Sequence, residues 1–303
     1  MNVSTIDCNL FSTARLINLS MPLLFVMLAS LCSSSATARA QVSQDAPPLV
    51  LKTERLSVRV QPKNAWTQNL IRWQDKIIVP EKGFQGLVID LDSAKFVGTG
   101  HTEGGREEVL SIALTADGKA AEYSKGGTIE AKEFTLTKTS RLAGARLESV
   151  LRLSADVLEC THQLKIEESF SIGKIYAFMF PWSPSTDGWI AQTSGGEFLE
   201  GDFTPKAQPW ELVKDVRWSA IYDPSVEVAM LTQFASNSQA GAGVRHGYWN
   251  QKVYHKQYYQ PMARRELKAG EEYSYAMTLR PIPAAPAEWK EKVRATVAQF
   301  PFK

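Results

Sequence analysis

The chain has 303 residues, with 34 Lys and Arg against 32 Asp and Glu, a formal net charge of +2 and 44% hydrophobic residues. Charges this evenly matched argue against a nucleic-acid partner, which calls for a basic stripe, and ordinary Gly and Pro counts with a large apolar share rule out a collagenous or broadly disordered chain. The less ordinary part of the composition is aromatic: 8 Trp, 9 Tyr and 13 Phe, several of the Trp and Tyr in polar stretches where packing does not require them.

The N-terminal forty residues read as an address. Leu16 to Leu31 form an apolar run behind Arg15, and Ala38-Arg39-Ala40 places small residues at a cleavage site before Gln41. The run is short for a membrane span and is broken by Asn18 and Ser20, so residues 1–40 are expected to be a cleaved signal peptide. No membrane span is expected after cleavage, and the mature protein is expected to be secreted or periplasmic. Cys8 and Cys32 leave with the signal, so Cys160 alone remains and no intramolecular disulfide can form. Residues 41–48 are expected to be a loose leader, and 49–303 a single domain.

The body alternates. Leu56, Val58 and Val60 alternate with Ser57 and Arg59, and further strands are expected near 69–79, 85–91, 107–115, 128–142, 145–153, 173–180, 217–222, 226–235, 243–249 and 272–280. The clearest run sets Leu158, Cys160, His162, Leu164 and Ile166 against Glu159, Thr161, Gln163, Lys165 and Glu167. That places Cys160 and His162 on a buried face, as core residues. Turn signals separate the runs at Asp117-Gly118, Gly126-Gly127, Asp187-Gly188, Gly195-Gly196 and Ala269-Gly270. The expected fold is all-β: a large two-sheet antiparallel β-sandwich. One short C-terminal helix after Pro286, with Trp289, Val293, Val297 and Phe300 at helical spacing, is expected to close an end or edge of it.

Three segments could carry chemistry. In Gly98-Thr99-Gly100-His101-Thr102-Glu103-Gly104-Gly105-Arg106-Glu107-Glu108, glycines permit close approach while His101 and Glu103 can meet. A carboxylate beside an imidazole fixes its tautomer and raises its basicity, which suits general acid–base work. The pair could also ligate a metal, but a zinc site needs a third ligand that is not nearby, and no metal or cofactor is predicted. The segment Arg245 to Gln260 holds His246, Tyr248, Trp249, Tyr254, His255, Tyr258 and Tyr259 among Arg, Lys, Asn and Gln. Aromatic faces stack on pyranose rings while guanidinium and amide groups match sugar hydroxyls, and Arg245, Lys252 and Lys256 would favour an acidic sugar. A hairpin whose rings pack beside the core is the competing reading. In the third segment, 180–189, Trp182 and Trp189 are held by prolines, with Trp210 and Trp218 later, as stacking platforms or as lids over a sandwich end.

Trp66-Thr67-Gln68-Asn69-Leu70-Ile71-Arg72-Trp73-Gln74-Asp75-Lys76-Ile77-Ile78 and the late Leu267-Lys268-Ala269-Gly270-Glu271-Glu272-Tyr273-Ser274-Tyr275 resemble the opening and closing strands of galactose-mutarotase-like β-sandwiches. The resemblance implies a supersandwich fold and carbohydrate handling; the Asn-His-x-Tyr-Phe-Asn element of the epimerases is absent. No phosphate-binding loop, dinucleotide fingerprint, nucleophile elbow, His-Glu-x-x-His or EF-hand loop occurs. The expectation is a carbohydrate ligand in an aromatic groove, with β-elimination on a uronate polysaccharide as the reaction the residues suit best. Arg245 or a nearby His would neutralise the carboxylate, His101, His246 or His255 would serve as base, and Tyr248 or Tyr258 as proton donor. Trp182, Trp189, Trp249, Tyr254 and Tyr258 would bind the sugar. Epimerisation by His101 with Glu103 or Glu107, and a non-catalytic binding or envelope scaffold module, are the alternatives.

Overall fold

The computed structural model describes residues 42–83, 85–91, 95–204, 209–236 and 245–300. The expected signal peptide lies outside them. Residues 42–48 carry no strand or helix, although Val42 and Ala46 rest against the core.

A ten-stranded sheet forms one layer. Its order is Phe198–Asp202, Gly188–Thr193, Val216–Asp223, Val228–Ser236, Glu272–Pro283, Val157–Ile166, Ala145–Ser154, Glu133–Leu142, Glu108–Ala116 and Lys119–Ala120. Two-residue turns with both φ values positive set its registers: Asp117-Gly118 (48° and 73°) and Ala143-Gly144 (48° and 73°). Such turns match the right-handed twist of the strands they join. The alternation in Val157–Ile166 is realised, with Leu158, Cys160, His162, Leu164 and Ile166 all buried.

The facing layer is not one sheet but three. A five-stranded sheet holds Lys76–Val79, Thr67–Trp73, Leu56–Gln61, Leu49–Lys52 and Gly127–Glu130; the last two form the one parallel pairing among the described residues. A four-stranded sheet holds Met262–Leu267, Phe170–Tyr176, Val88–Asp90 and Phe96–Val97. Another holds Phe178–Trp182, Tyr254–Gln260, Arg245–Gln251 and Trp210–Lys214. The split has a local cause. Pro261, which has no N–H to give a ladder, separates Tyr254–Gln260 from Met262–Leu267. In the neighbouring strand Ala177, whose N–H donates to the Tyr259 carbonyl, separates Phe170–Tyr176 from Phe178–Trp182. Both chains change sheets there. One continuous apolar cluster joins the inner faces of all four sheets.

The helix Trp289–Gln299 lies on the outer face of the large sheet, where Trp289 and Val293 pack with Trp218, Tyr222 and Leu231, and Trp289 stacks on Tyr222 at 5.2 Å. It covers a face where an end or edge was expected. Phe300 is not part of its apolar stripe: it caps the helix, exposed, with the Arg280 guanidinium 4.4 Å from its ring centroid.

Cys160 is buried, and desolvation pushes its thiol up to about 12. The thiolate is the reactive form, so a thiol reagent should leave residues 41–303 unlabelled in native buffer and label one site in denaturant. Stoichiometric labelling of the native protein would show that this face opens.

Candidate functional site

The hairpin of Arg245–Gln251 and Tyr254–Gln260 decides which candidates meet. Its register pairs Arg245 with Gln260, Gly247 with Tyr258 and Trp249 with Lys256; between them His246 faces Tyr259, Tyr248 faces Gln257 and Asn250 faces His255. Opposed residues in an antiparallel pair share a face. Arg245, Trp249, Tyr254, Lys256 and Tyr258 therefore go to the outer face of the sheet, and His246, Tyr248 and His255 to the inner one.

The outer face lines a groove of about 620 Å³ with Trp210, Trp249, Tyr254, Lys256 and Tyr258, joined by Met179, Tyr176, Val88, Phe96 and His101. Trp210 and Trp249 stack with centroids 6.1 Å apart and planes 12° apart, and Tyr258 meets Trp210 at 5.4 Å and Tyr176 at 4.7 Å. Gly247 makes room for this: a Cβ there would stand 3.3 Å from the Trp210 ring. The Lys256 ammonium lies 5.1 Å from the centre of the Tyr258 ring. Burial lowers its pKa to about 8, and burial likewise pushes the Tyr258 phenol well up, so that it stays protonated.

His101 reaches the groove from a tight turn. Gly98, Thr99 and Gly100 all have positive φ (112°, 54° and 92°), and the His101 N–H closes the turn on the Gly98 carbonyl at 3.0 Å. A side chain at Gly98 would place its Cβ 2.5 Å from the Leu87 carbonyl oxygen, so only glycine fits. The imidazole packs against Phe96 at 5.5 Å, and its Nδ1 lies 3.2 Å from Glu103 Oε2. The Glu103 carboxyl is held below its usual range, first by backbone N–H donation, so it is an ionised acceptor and Nδ1 must carry the proton. Nε2 then bears the lone pair. Burial lowers the His101 pKa, Glu103 opposes that, and Lys256 adds to it. At neutral pH the imidazole is uncharged and basic at Nε2.

The inner-face candidates are core residues. His246 and Tyr248 are fully buried: His246 Nε2 lies 3.0 Å from Ser219 Oγ, the Tyr248 hydroxyl donates to the same oxygen at 2.9 Å, and the Gln257 amide donates to Thr232 Oγ1 at 2.7 Å. Burial lowers the His246 pKa to about 3 and raises that of Tyr248. His255 is buried with Nδ1 2.7 Å from Thr186 Oγ1 and its ring stacked 4.0 Å from Phe203, and burial lowers its pKa to about 4. Trp182 is fully buried, stacked on Phe180 and donating its N–H to Gln257 Oε1 at 3.0 Å; Trp189 is 7% exposed. Neither Trp of the 180–189 segment lines the groove. Glu107 is likewise taken up inside, bound to Lys138 Nζ at 2.6 Å, Ser140 Oγ at 2.7 Å and the Thr99 N–H at 2.9 Å. Lys252 is exposed at the hairpin tip.

Of the residues the sequence singles out, the groove thus gathers His101, Trp249, Tyr254 and Tyr258, with Glu103 behind His101. Arg245 stands in an adjoining hollow. Trp210, named with the Trp-bearing segment, also lines the groove, while Tyr176 escapes a reading by local composition because it comes from a strand distant in sequence. Among the described residues no group of three or more His, Cys, Asp or Glu is placed to hold a metal ion, and no helix is long and apolar enough to cross a membrane.

No protein-family model matches the sequence, and no curated protein matches it. Solved structures do. An α-galactosidase from Lactobacillus brevis aligns over 86% of this chain and 42% of its own, at 10% identity and a TM-score of 0.51. An α-galactosidase from Geobacillus stearothermophilus, crystallised with raffinose, aligns over 81% and 42% at 9% identity and 0.47. A protein of Escherichia coli K12 described as an aldose 1-epimerase aligns over 78% of this chain and 99% of its own, at 14% identity and 0.44. At such identities the likeness is one of fold, and the fold is galactose-mutarotase-like, as the sequence resemblance implied.

Proposed function

We propose that this galactose-mutarotase-like sandwich belongs to a secreted or periplasmic protein that holds a carbohydrate in the outer-face groove and acts on it as a lyase of uronate-containing glycans. The observation that carries the reading is the meeting, in one concavity, of Trp249, Tyr254 and Tyr258 with Lys256 and His101, from segments about 150 residues apart. Its volume lies within the roughly 300–1,000 Å³ of small-molecule sites, and stacking rings with few polar groups suit a pyranose.

The roles follow from the protonation states. The Lys256 ammonium offsets the uronate carboxylate, which acidifies the proton on the adjacent carbon. Neutral His101 Nε2 removes that proton, the electron pair forms a ring double bond, and the bond from the neighbouring carbon to the glycosidic oxygen breaks. The Tyr258 hydroxyl supplies a proton to the departing oxygen. Epimerase-like chemistry is the second reading, favoured by the His101–Glu103 pair, which would move a proton without breaking a glycosidic bond.

Purified protein incubated with alginate, pectate and glycosaminoglycans should generate the absorbance of an unsaturated uronate and shorten the chains. With none of these polymers changed, the lyase reading is lost. In parallel Trp249→Ala should weaken glycan binding measured by calorimetry by about fivefold or more, on the scale of roughly 1–3 kcal/mol that an aromatic stacking platform contributes. Unchanged affinity would remove the groove from the function.

A further inference from the structure

The groove does not end at the Tyr258 ring. A second hollow of about 310 Å³ lies beside it, lined by Arg245, Lys174, Gln260 and Gly247, and it shares Tyr176, Trp210 and Tyr258 with the first. Those three rings form a common wall, so a molecule in one hollow touches the same aromatics as a molecule in the other.

The two hollows also repeat a chemistry. Each sets an aromatic wall against cations: Lys256 over Tyr258 in the first, and in the second Lys174 with its ammonium 5.6 Å from the centre of Tyr176, together with Arg245. Lys174 is partly neutralised by Asp90, whose Oδ2 lies 3.6 Å from its Nζ. Arg245 is exposed on the outer face, and its guanidinium is the group in this hollow shaped for a carboxylate, which it can take through two parallel N–H donors.

We infer that the two hollows are successive subsites for an oligosaccharide bearing carboxylates on neighbouring units, one unit beside Lys256 and His101 and the next beside Arg245, with Trp210, Tyr176 and Tyr258 packed at the junction. This rests on the carbohydrate reading of the groove and adds the charge and minimum length of the ligand. A single uronate would occupy one hollow; a disaccharide would engage both sets of cations.

Calorimetric titration of the full mature chain with uronic acid mono-, di- and tetrasaccharides, and with their carboxyl-reduced neutral counterparts, separates the possibilities. The expected result is a gain of roughly tenfold or more in affinity from mono- to disaccharide, largely lost on carboxyl reduction, as charge-assisted hydrogen bonds of this kind warrant. Arg245→Gln should bring the disaccharide's affinity close to the monosaccharide's. Equal binding of acidic and neutral oligosaccharides overturns this inference and leaves the carbohydrate groove standing. A monosaccharide bound as tightly as the disaccharide also overturns it. No binding of any saccharide, acidic or neutral, would sink the groove reading itself.

Discussion

Replacing His101 by Ala is expected to lower turnover on a uronate polymer by about 10²–10⁴-fold, the range for loss of a positioned general base. Glycan affinity and thermal stability should change far less, because the rings of the groove and its cations remain. The size of the effect follows from how the imidazole is held: Glu103 fixes the proton on Nδ1, and burial keeps the ring neutral. The pH profile carries a second signature. The base works when neutral, and its pKa is lowered, so kcat/KM should rise along an acid limb below the usual histidine pKa of about 6.5. The cation works when protonated, so activity should fall again as Lys256 loses its proton near pH 8. Glu103→Gln removes an influence that raises the His101 pKa and should move the acid limb further down. A limb that stays in place in both variants would take proton abstraction away from His101.

Acid should unfold this protein at a pH where many sandwiches are still intact. Burial holds His162 and His246 at about 3 and His255 at about 4 in the folded state, against roughly 6.5 when unfolded. These are depressed bases, so between about 6.5 and 3 the unfolded chain binds more protons than the folded one, and stability is lost as the pH falls through that window. Above it the three contribute nothing to the pH dependence. Each adds at most ~1.4 kcal/mol per pH unit, so together the slope approaches ~4 kcal/mol per unit. Urea midpoints measured from pH 7 to pH 4 should fall steeply. His246→Gln, which stays neutral, should flatten the curve by about a third while lowering stability throughout. A curve that is level down to pH 5 would show that the histidines are wetter than their positions imply.

The strands with one wet face were legible, because period two is written directly in residues such as Leu158 through Glu167. Strands buried on both sides were legible only in part: the run expected near 173–180 reaches into Phe178–Trp182, which is buried at every position and shows no alternation to mark its end. The break of the second layer into three sheets depends on interruptions at Pro261 and Ala177 in neighbouring strands, which pairing alone reveals. At the site, composition correctly drew attention to the 245–260 segment but could not divide it. Parity would have done so, since alternate positions from His246 to Tyr248 and from His255 to Tyr259 share a face once a hairpin is assumed. What no local pattern could supply is the arrival of Trp210, Tyr176 and His101 from elsewhere. The two Trp of the 180–189 segment misled for the opposite reason: prolines beside aromatics suggest a loop, while Trp182 is in fact an inner-face strand residue with its N–H satisfied by Gln257.

The alternation in the 245–260 hairpin divides selection as well as space. Trp249, Tyr254 and Lys256 can be exchanged for other side chains with little disturbance to Tyr248, His255 and Gln257, which point the other way. Ligand preference can therefore drift by single substitutions that leave the inner-face residues in place. A one-residue insertion in either strand does the reverse, exposing the core set and burying the groove set in one step. Descendants of this chain are accordingly free to change what they recognise by substitution along the hairpin, and are barred from doing so by changing its length.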